Sequence, residues 1–334
     1  MKIGILLNPN SRKNRRQSAE AAQRLGQLKR RVGELGHVVE TQSTDELRHA
    51  IEALVDDGVE YLVSDGGDGA LHWALNEVRR LRGDAGLIPI VPTCGGTIDF
   101  VARKVGVEGS QDAIVERLIQ HIERGEAPRV LHLDSLRLTG EDERGEPFDR
   151  LGFALAAGGV GQRFFDHYYS SPDPSPATIV AIVLRTVASF ALGALNVPRT
   201  ETLQSYAEQL FRPTLAEVSI DGEALGTTKH GAIHAGAFDV SLGGVFRVFP
   251  LAAEPGQLHF QAGAITPLEI IAALPDLVRG GAIRSPNLRE VAGTELRVRA
   301  LSDELLAPII DGEQFTGLRS LNVTPGPQVP IATV

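Results

Sequence analysis

The sequence predicts an α/β first domain with a parallel sheet, followed by a second domain that is mainly an antiparallel β-sandwich. Three observations carry this reading. Residues 2–105 alternate short apolar runs with helical periodicity. Near residue 128 the pattern changes to apolar runs joined by polar, hairpin-like connections. The 334 residues also exceed what one hydrophobic core usually organises. The domains are expected at 1–128 and 129–324, with a tail at 325–334 returning to the first.

Taken in order, KIGILLN (2–8) reads as a strand and 17–36 as a helix, with Ala21, Leu25, Leu28 and Val32 at helical spacing. HVVETQ (37–42) is a second strand. Residues 45–57 make a helix with Leu47, Ile51, Leu54 and Val55 on one face. VEYLVSD (59–65) is a third strand, 70–82 a helix, LIPIVPT (87–93) a fourth strand and 97–105 a short helix. Strand–helix repeats imply a parallel sheet with ligand-facing loops at its carboxyl edge. From RVLHLDSLRLTG (129–140) onward the runs are strand-like, and Leu296, Val298 and Ala300 alternate with Glu295, Arg297 and Arg299.

Composition narrows the function classes. Hydrophobic residues at 43% and charged residues at 22% are those of a soluble globular protein. The single cysteine, Cys94, leaves no internal disulfide and fits a reducing, cytoplasmic setting. The opening MKIGILLNPNSRKNRR is no signal peptide, its apolar run being short and followed by charges. Net charge −9 argues against a nucleic-acid partner. The apolar stretch 177–197 is divided by Arg185 and is expected to be a buried amphipathic or core helix, with peripheral membrane contact as the alternative.

Chemistry concentrates in loops. NPNSRKN (8–14), SDGGDGA (64–70) and PTCGGTID (92–99) each follow a predicted strand. Glycines let backbone N–H groups approach an anion, and a following helix adds its positive dipole end. Asn8, Ser11, Gly66, Gly67, Gly69, Gly95, Gly96 and Thr97 can together build a phosphate cradle. Asp68 would repel phosphate, so it holds Mg²⁺, accepts a proton from an attacking hydroxyl, or simply bonds its own turn. IIDGEQF (309–315) offers two more carboxylates, Asp311 and Glu313, as catalytic candidates or as a surface hairpin.

NPNS, GGDGA and GGTIDFVAR, with a β-rich second half ending in DGE, resemble the diacylglycerol kinase catalytic-domain superfamily, which includes bacterial diacylglycerol, sphingosine and ceramide kinases. GGDG alone is shared with NAD kinases and phosphofructokinases; the ordered set is more specific. The resemblance implies an NAD-kinase/diacylglycerol-kinase-like first domain binding ATP with Mg²⁺, and a lipid-binding β-sandwich. It implies nucleotide contacts at Asn8, Pro9, Asn10, Ser11 and Arg12, at Thr41, at Gly66, Gly67, Asp68, Gly69, Ala70, Leu71 and His72, and at Gly95, Gly96 and Thr97. Glu313 matches the proton acceptor of bacterial members and Asp68 that of sphingosine kinases, so both are carried.

The sequence also departs from the family pattern. Ala70 replaces a threonine, Trp73 a glutamate and Ile98 an asparagine. In LAAEPG (251–256) Pro255 stands at a metal-associated aspartate, so a structural Mg²⁺ site is lost or rebuilt around Glu254. The reading is an ATP-dependent lipid kinase acting on diacylglycerol or a sphingosine- or ceramide-like lipid, in transient contact with the membrane. A homodimer is compatible with it. A soluble-substrate, NAD-kinase-like enzyme and a catalytically impaired lipid- or nucleotide-binding protein are the alternatives.

Overall fold

The computed structural model spans residues 1–334 and describes all of them except 17–20, 172–173, 196–200, 243–245, 280, 282 and 302–303. The chain divides into two compact units, Met1–Leu133 with Pro327–Val334, and Asp134–Gly326.

The first unit contains β1 (Ile3–Leu7), α1 (Arg12–Arg16), α2 (Ala21–Val32), β2 (Gly36–Glu40), α3 (Thr44–Asp56), β3 (Tyr61–Asp65), α4 (Asp68–Arg82), β4 (Ile90–Pro92), α5 (Phe100–Lys104), α6 (Gln111–Glu123) and β5 (Arg129–Leu133). Its sheet runs β2-β1-β3-β4, then the terminal strand Val329–Thr333, then β5. All pairings are parallel except the last, between the terminal strand and β5. The run 129–140, read from the sequence as the opening of the second domain, therefore splits. Residues 129–133 complete this sheet, and the rest enters the second unit. Of the expected helix 17–36, residues 17–20 lie outside those described.

Residues of β1 and β3 are buried along their whole length, as central parallel strands covered on both faces must be. Ile3, Ile5, Leu7 and Val63 pack with Leu28 and Val32 of α2 and Ile114 and Leu118 of α6. Leu6 and Leu62 point the other way, against Leu47, Ile51 and Leu54 of α3 and Ala74 and Val78 of α4. Gly4 permits that approach, since a Cβ there would lie 2.9 Å from Leu54 Cδ1. Ser43 and Ser110 start α3 and α6 by accepting from Glu46 N at 3.2 Å and Ala113 N at 3.3 Å. Helix α6 lies in a stretch that the sequence reading left unassigned.

The second unit contains β6 (Leu136–Asp142), β7 (Pro147–Gly152), β8 (Ala154–Gly159), α7 (Val160–Tyr169), α8 (Pro176–Ala194), α9 (Glu201–Leu210), β9 (Thr214–Ile220), β10 (Glu223–Ala224), β11 (Lys229–His230), β12 (Ala232–Gly236), β13 (Val240–Leu242), β14 (Phe246–Val248), β15 (Leu258–Gly263), α10 (Pro267–Val278), β16 (Leu288–Gly293), β17 (Leu296–Ala300), β18 (Ile309–Ile310), β19 (Glu313–Gln314) and β20 (Leu318–Pro325). The terminal strand is β21 (Val329–Thr333). One antiparallel sheet has the order β10-β9-β17-β20-β6-β7, and another the order β16-β15-β12-β8-β18-β19. In β9 and β17 buried and exposed residues alternate, whereas β15 is buried throughout. The first pattern marks a sheet with one wet face, and the second a sheet covered on both faces. Helix α7 packs on β8 and β12, and Ile270 of α10 packs on Ala232, Ile265 and Leu288.

Helix α8 corrects an expectation. Rather than a core helix, it buries only Ile179, Ile182, Thr186 and Ser189. Ala177, Val180, Ala181, Leu184, Ala188 and Ala191 form an exposed apolar stripe, with Leu184 64% exposed. Among the described residues it is the one helix long and apolar enough to cross a membrane, judged by length and composition. Arg185 does not interrupt it, because its guanidinium rests 4.2 Å over the Tyr206 ring of α9. Positions 196 and 197 of the predicted run lie outside the described residues.

Candidate active site

Strands β1, β3 and β4 are adjacent, so the three glycine- and asparagine-bearing loops emerge side by side at the carboxyl edge of the sheet. In the first loop Asn8 N donates to Asp65 O at 3.1 Å, and Asn8 Oδ1 accepts from Asn10 N at 2.9 Å. The short helix α1 follows, with Lys13 N on Gly95 O at 3.2 Å and Lys13 Nζ on the Cys94 carbonyl. Thr41 continues β2 by donating its N–H to Leu7 O at 3.0 Å, and Asn10 Nδ2 reaches the Gln42 carbonyl at 3.2 Å. Thr41 thus adjoins the first loop, with its side chain buried. Ser11 is also buried, whereas Pro9 and Arg12 are partly exposed and Asn10 is exposed.

The second and third loops lie directly against each other. Gly95 N donates to Gly66 O at 3.0 Å. A Cβ on Gly67 would lie 2.8 Å from Gly96 Cα, and one on Gly96 would lie 2.7 Å from Asp99 Oδ1. These contacts explain the paired glycines: the loops can touch only where no side chain intervenes. Gly66 likewise faces Ala70, where an added Cβ would meet Ala70 Cβ at 2.5 Å.

Asp68 opens α4, and its carboxylate bridges to the third loop. Oδ2 accepts from Phe100 N at 3.1 Å and Oδ1 from Val101 N at 3.2 Å, the first amides of α5. The residue that the sequence offers as a base or metal ligand is thus placed as an anchor between loops, both oxygens engaged by N–H groups. Asp99 is held in the left-handed region at φ 50°, with Oδ1 accepting from Gly96 N at 2.8 Å. Burial pushes its carboxyl above the usual range, against the pull of the Gly96 amide and of Lys13, Arg103 and Arg12. The same basic side chains therefore act on the third loop.

The first turn of α4 has Gly67 as its cap, with no side-chain acceptor. Leu71 N is the first amide there to find its helical partner, Gly67 O at 3.1 Å. The amides of Asp68, Gly69 and Ala70 precede that bond, so they fit an anion with the dipole of a 15-residue helix behind them. Leu71 and His72, expected as nucleotide contacts, have buried side chains turned into the unit. Trp73 packs on the apolar cluster shared by α3 and α4, which accounts for an aromatic residue there. Thr97 and Ile98 are half-buried in the third loop.

Sequence reasoning missed what lies beneath these loops. Asp65, at the end of β3, is fully buried and paired with Arg24 of α2 at 2.7 Å. Burial opposes the Arg24 charge, but Asp65 and Asp112 outweigh it and raise its pKa. Asn14, Thr93 and Gln111 complete the cluster. An acidic residue ending an apolar strand was the available signal.

In the second unit, Asp311 lies in the turn between β18 and β19, and Glu313 opens β19. Asp311 is buried in the left-handed region at φ 51°, and Oδ1 accepts from Phe153 N at 2.8 Å and Ala154 N at 2.9 Å. The expected catalytic carboxylate is therefore a turn anchor. Glu313 follows the positive-φ Gly312 and is half-buried. Its neighbour Gln314 donates to Asp166 of α7 at 3.0 Å, which ties the turn to that helix.

Among the described residues no three His, Cys, Asp or Glu side chains converge as a metal site. Glu254 is exposed, and in its turn the Gly256 amide is bonded to Asp134. That turn does not supply the carboxylate set a protein-held Mg²⁺ needs, whereas a Mg²⁺ carried by nucleotide phosphates asks little of the protein.

Residues 2–127 match the family model of the diacylglycerol kinase catalytic domain. No curated protein matches the chain. A diacylglycerol kinase structure from Bacillus anthracis strain Sterne is 12% identical over 100% of this chain and 97% of its own, with a TM-score of 0.57. Two structures of presumed diacylglycerol kinases from the same strain have TM-scores of 0.64 and 0.61 at 12% and 13% identity, with the same coverage. The first unit thus carries the sequence pattern of the diacylglycerol kinase catalytic domain family, and the whole chain shares the fold of these bacterial structures.

Proposed function

We propose that this chain is an ATP-dependent lipid kinase, transferring the γ-phosphoryl group of ATP to a hydroxyl of diacylglycerol or of a sphingosine- or ceramide-like lipid. The observation that carries the reading is the row of three loops on adjacent strands, within the region that matches the kinase family. The loops at Asn8–Arg12, Gly66–Ala70 and Gly95–Thr97 bind and orient the phosphates through backbone N–H groups. Arg12, Lys13 and Arg103, all near enough to act on Asp99, add positive charge there. Bound with ATP, Mg²⁺ neutralises phosphate charge.

The lipid hydroxyl oxygen forms the new bond to the γ-phosphorus, the bond to the ADP oxygen breaks, and the hydroxyl proton passes to a carboxylate. We assign that proton to Glu313. Asp68 is the weaker candidate, because a carboxylate already accepting two amides is a poorer base. Asp68 instead keeps the second and third loops in register. The exposed apolar stripe of α8 supports a lipid acceptor, being the face through which the protein would rest transiently on a membrane.

The test is phosphoryl transfer to lipid in mixed micelles. Glu313→Gln should lower the rate by about a hundredfold or more at unchanged ATP affinity, the range expected for loss of a general base. Asp68→Asn should instead weaken ATP binding. If only Asp68→Asn abolishes transfer while ATP binding persists, the two roles are reversed.

A further inference from the structure

A fully buried carboxylate stands immediately before the second glycine loop. Burying such a charge is costly unless it is paired and hydrogen-bonded, and the partners of Asp65 come from five other elements or their ends. Oδ2 accepts from Arg24 Nη1, on α2, at 2.7 Å. Oδ1 accepts from the Thr93 hydroxyl, just past β4, at 3.2 Å and from the Gln111 side-chain amide at the start of α6. Its carbonyl accepts from Asn8 N at 3.1 Å and from Asn14 Nδ2, in α1, at 3.3 Å. Arg24 continues to Asn14 Oδ1 at 3.3 Å and to Asp112 Oδ1 at 2.7 Å.

One ion pair therefore reaches all three loops. It meets the first through Asn8 and Asn14, and leads directly into the second. It meets the third through Thr93 and through Gln111, whose Nε2 would lie 2.7 Å from a Cβ on Gly95. Stability alone is a poor reason for such a pair, since well-packed apolar residues often serve a buried site as well. Directional bonds to several loops at once are something apolar packing cannot supply.

We propose that Asp65 and Arg24 are positioning residues that fix the three loops relative to one another, and so set the affinity for the phosphates of ATP. This rests on the nucleotide reading of the loops. The pair acts through Asn8, Asn14, Thr93 and Gln111, and preorganises amides that would otherwise have to be ordered by the ligand.

The experiment compares wild type, Arg24→Lys, Arg24→Met and the double variant Arg24→Gln with Asp65→Asn. Arg24→Met leaves a buried charge unpaired and is the variant at risk of not folding. The double variant leaves no such charge and keeps the question answerable. Amide exchange is followed in residues 8–15, 64–70 and 92–101, with α3 as the internal reference. Mg²⁺–ATP binding is measured by calorimetry on the folded proteins.

The double variant should exchange about tenfold faster or more in all three loops, with α3 unchanged, as for local rather than global opening. ATP should bind about tenfold or more weakly, a loss of about 1.4 kcal/mol. Arg24→Lys, which keeps the charge but not the two-sided bridge, should fall between. In micelle assays KM for ATP should rise with kcat nearly preserved. A lowered melting temperature with unchanged loop exchange and ATP affinity would overturn the proposal. If wild type binds no ATP, the nucleotide reading and the affinity claim built on it both fail. Exchange confined to α2 and α6 would overturn the positioning role by itself.

Discussion

Asp68, Asp311 and Asp221 do the same work at three places: each carboxylate accepts from two consecutive backbone amides of a distant segment. This is how a short acidic side chain locks a turn to its neighbour. At Asp311 the consequence is testable. Asp311→Asn keeps an acceptor and tolerates φ 51°, so it should cost little. Asp311→Ala leaves two buried amides without their acceptor in a strained conformation and should cost about 2–4 kcal/mol in denaturant unfolding. Equal stability of the two variants would show that the bonds do not matter. In sequence, an aspartate among glycines reads as chemistry. Whether its oxygens meet a ligand or another loop's amides depends on partners 32 or 158 residues away, which no local pattern reveals.

Asp99 gives a prediction of opposite sign to the usual acidic residue. Because burial raises its pKa, the folded state holds the proton more tightly than the unfolded chain. Ionising it opposes folding. The cost is absent below the ordinary value of 3.8 and grows as pH rises from there through the folded-state value. Asp99→Asn keeps an acceptor for Gly96 N and suits the left-handed backbone. It should match wild type in acid and exceed its melting temperature near neutral pH. A variant less stable than wild type at pH 7 would contradict this.

The elements of the first unit were legible because they obey simple periods. Strands of branched apolar residues alternate with helices whose apolar positions recur every three or four residues; α1 and α6 escaped, and β5 was read as a strand of the second domain. The second unit was harder to read. Helices α7, α9 and α10 sit among strand-like runs of similar composition, and α8 is apolar on its exposed side as well as its buried one. Helix α10 begins with a capping box that fixes its start: Glu269 accepts from Thr266 N at 2.8 Å, Ser285 Oγ at 2.7 Å and Asn287 Nδ2 at 2.9 Å. These bonds, the Thr266 hydroxyl foremost, lower its pKa from 4.5 to about 2. The stabilisation is present above pH 4.5 and lost as pH falls towards 2. Amide exchange in 267–278 should accelerate across that window in wild type, beyond its intrinsic pH dependence, and show no such step in Glu269→Gln. An identical step in both would remove Glu269 as its cause.

At the scale of the whole chain, the sequence leaves the first unit at Leu133, builds the antiparallel sheets and returns at Pro327 to insert β21 beside β4. The loops of the candidate site were legible as motifs, yet the Asp65–Arg24 cluster beneath them was not, since its partners converge only through the parallel sheet. The outward stripe of α8 gives a further prediction. Leu184→Glu should reduce binding to lipid vesicles about tenfold or more without changing the melting temperature, because a mostly exposed leucine adds little to the fold and would be lost only from the proposed lipid contact. Unchanged vesicle binding would assign the stripe another role. The most direct test of the central claim is the destination of the γ-phosphate. The protein is given γ-labelled ATP, Mg²⁺, mixed micelles of diacylglycerol, sphingosine or ceramide, and NAD as a soluble acceptor, and the products are partitioned between organic and aqueous phases. Label in a phosphorylated lipid, lost in Glu313→Gln, is the predicted result; label on NAD, or ATP bound without transfer to any acceptor, would contradict it.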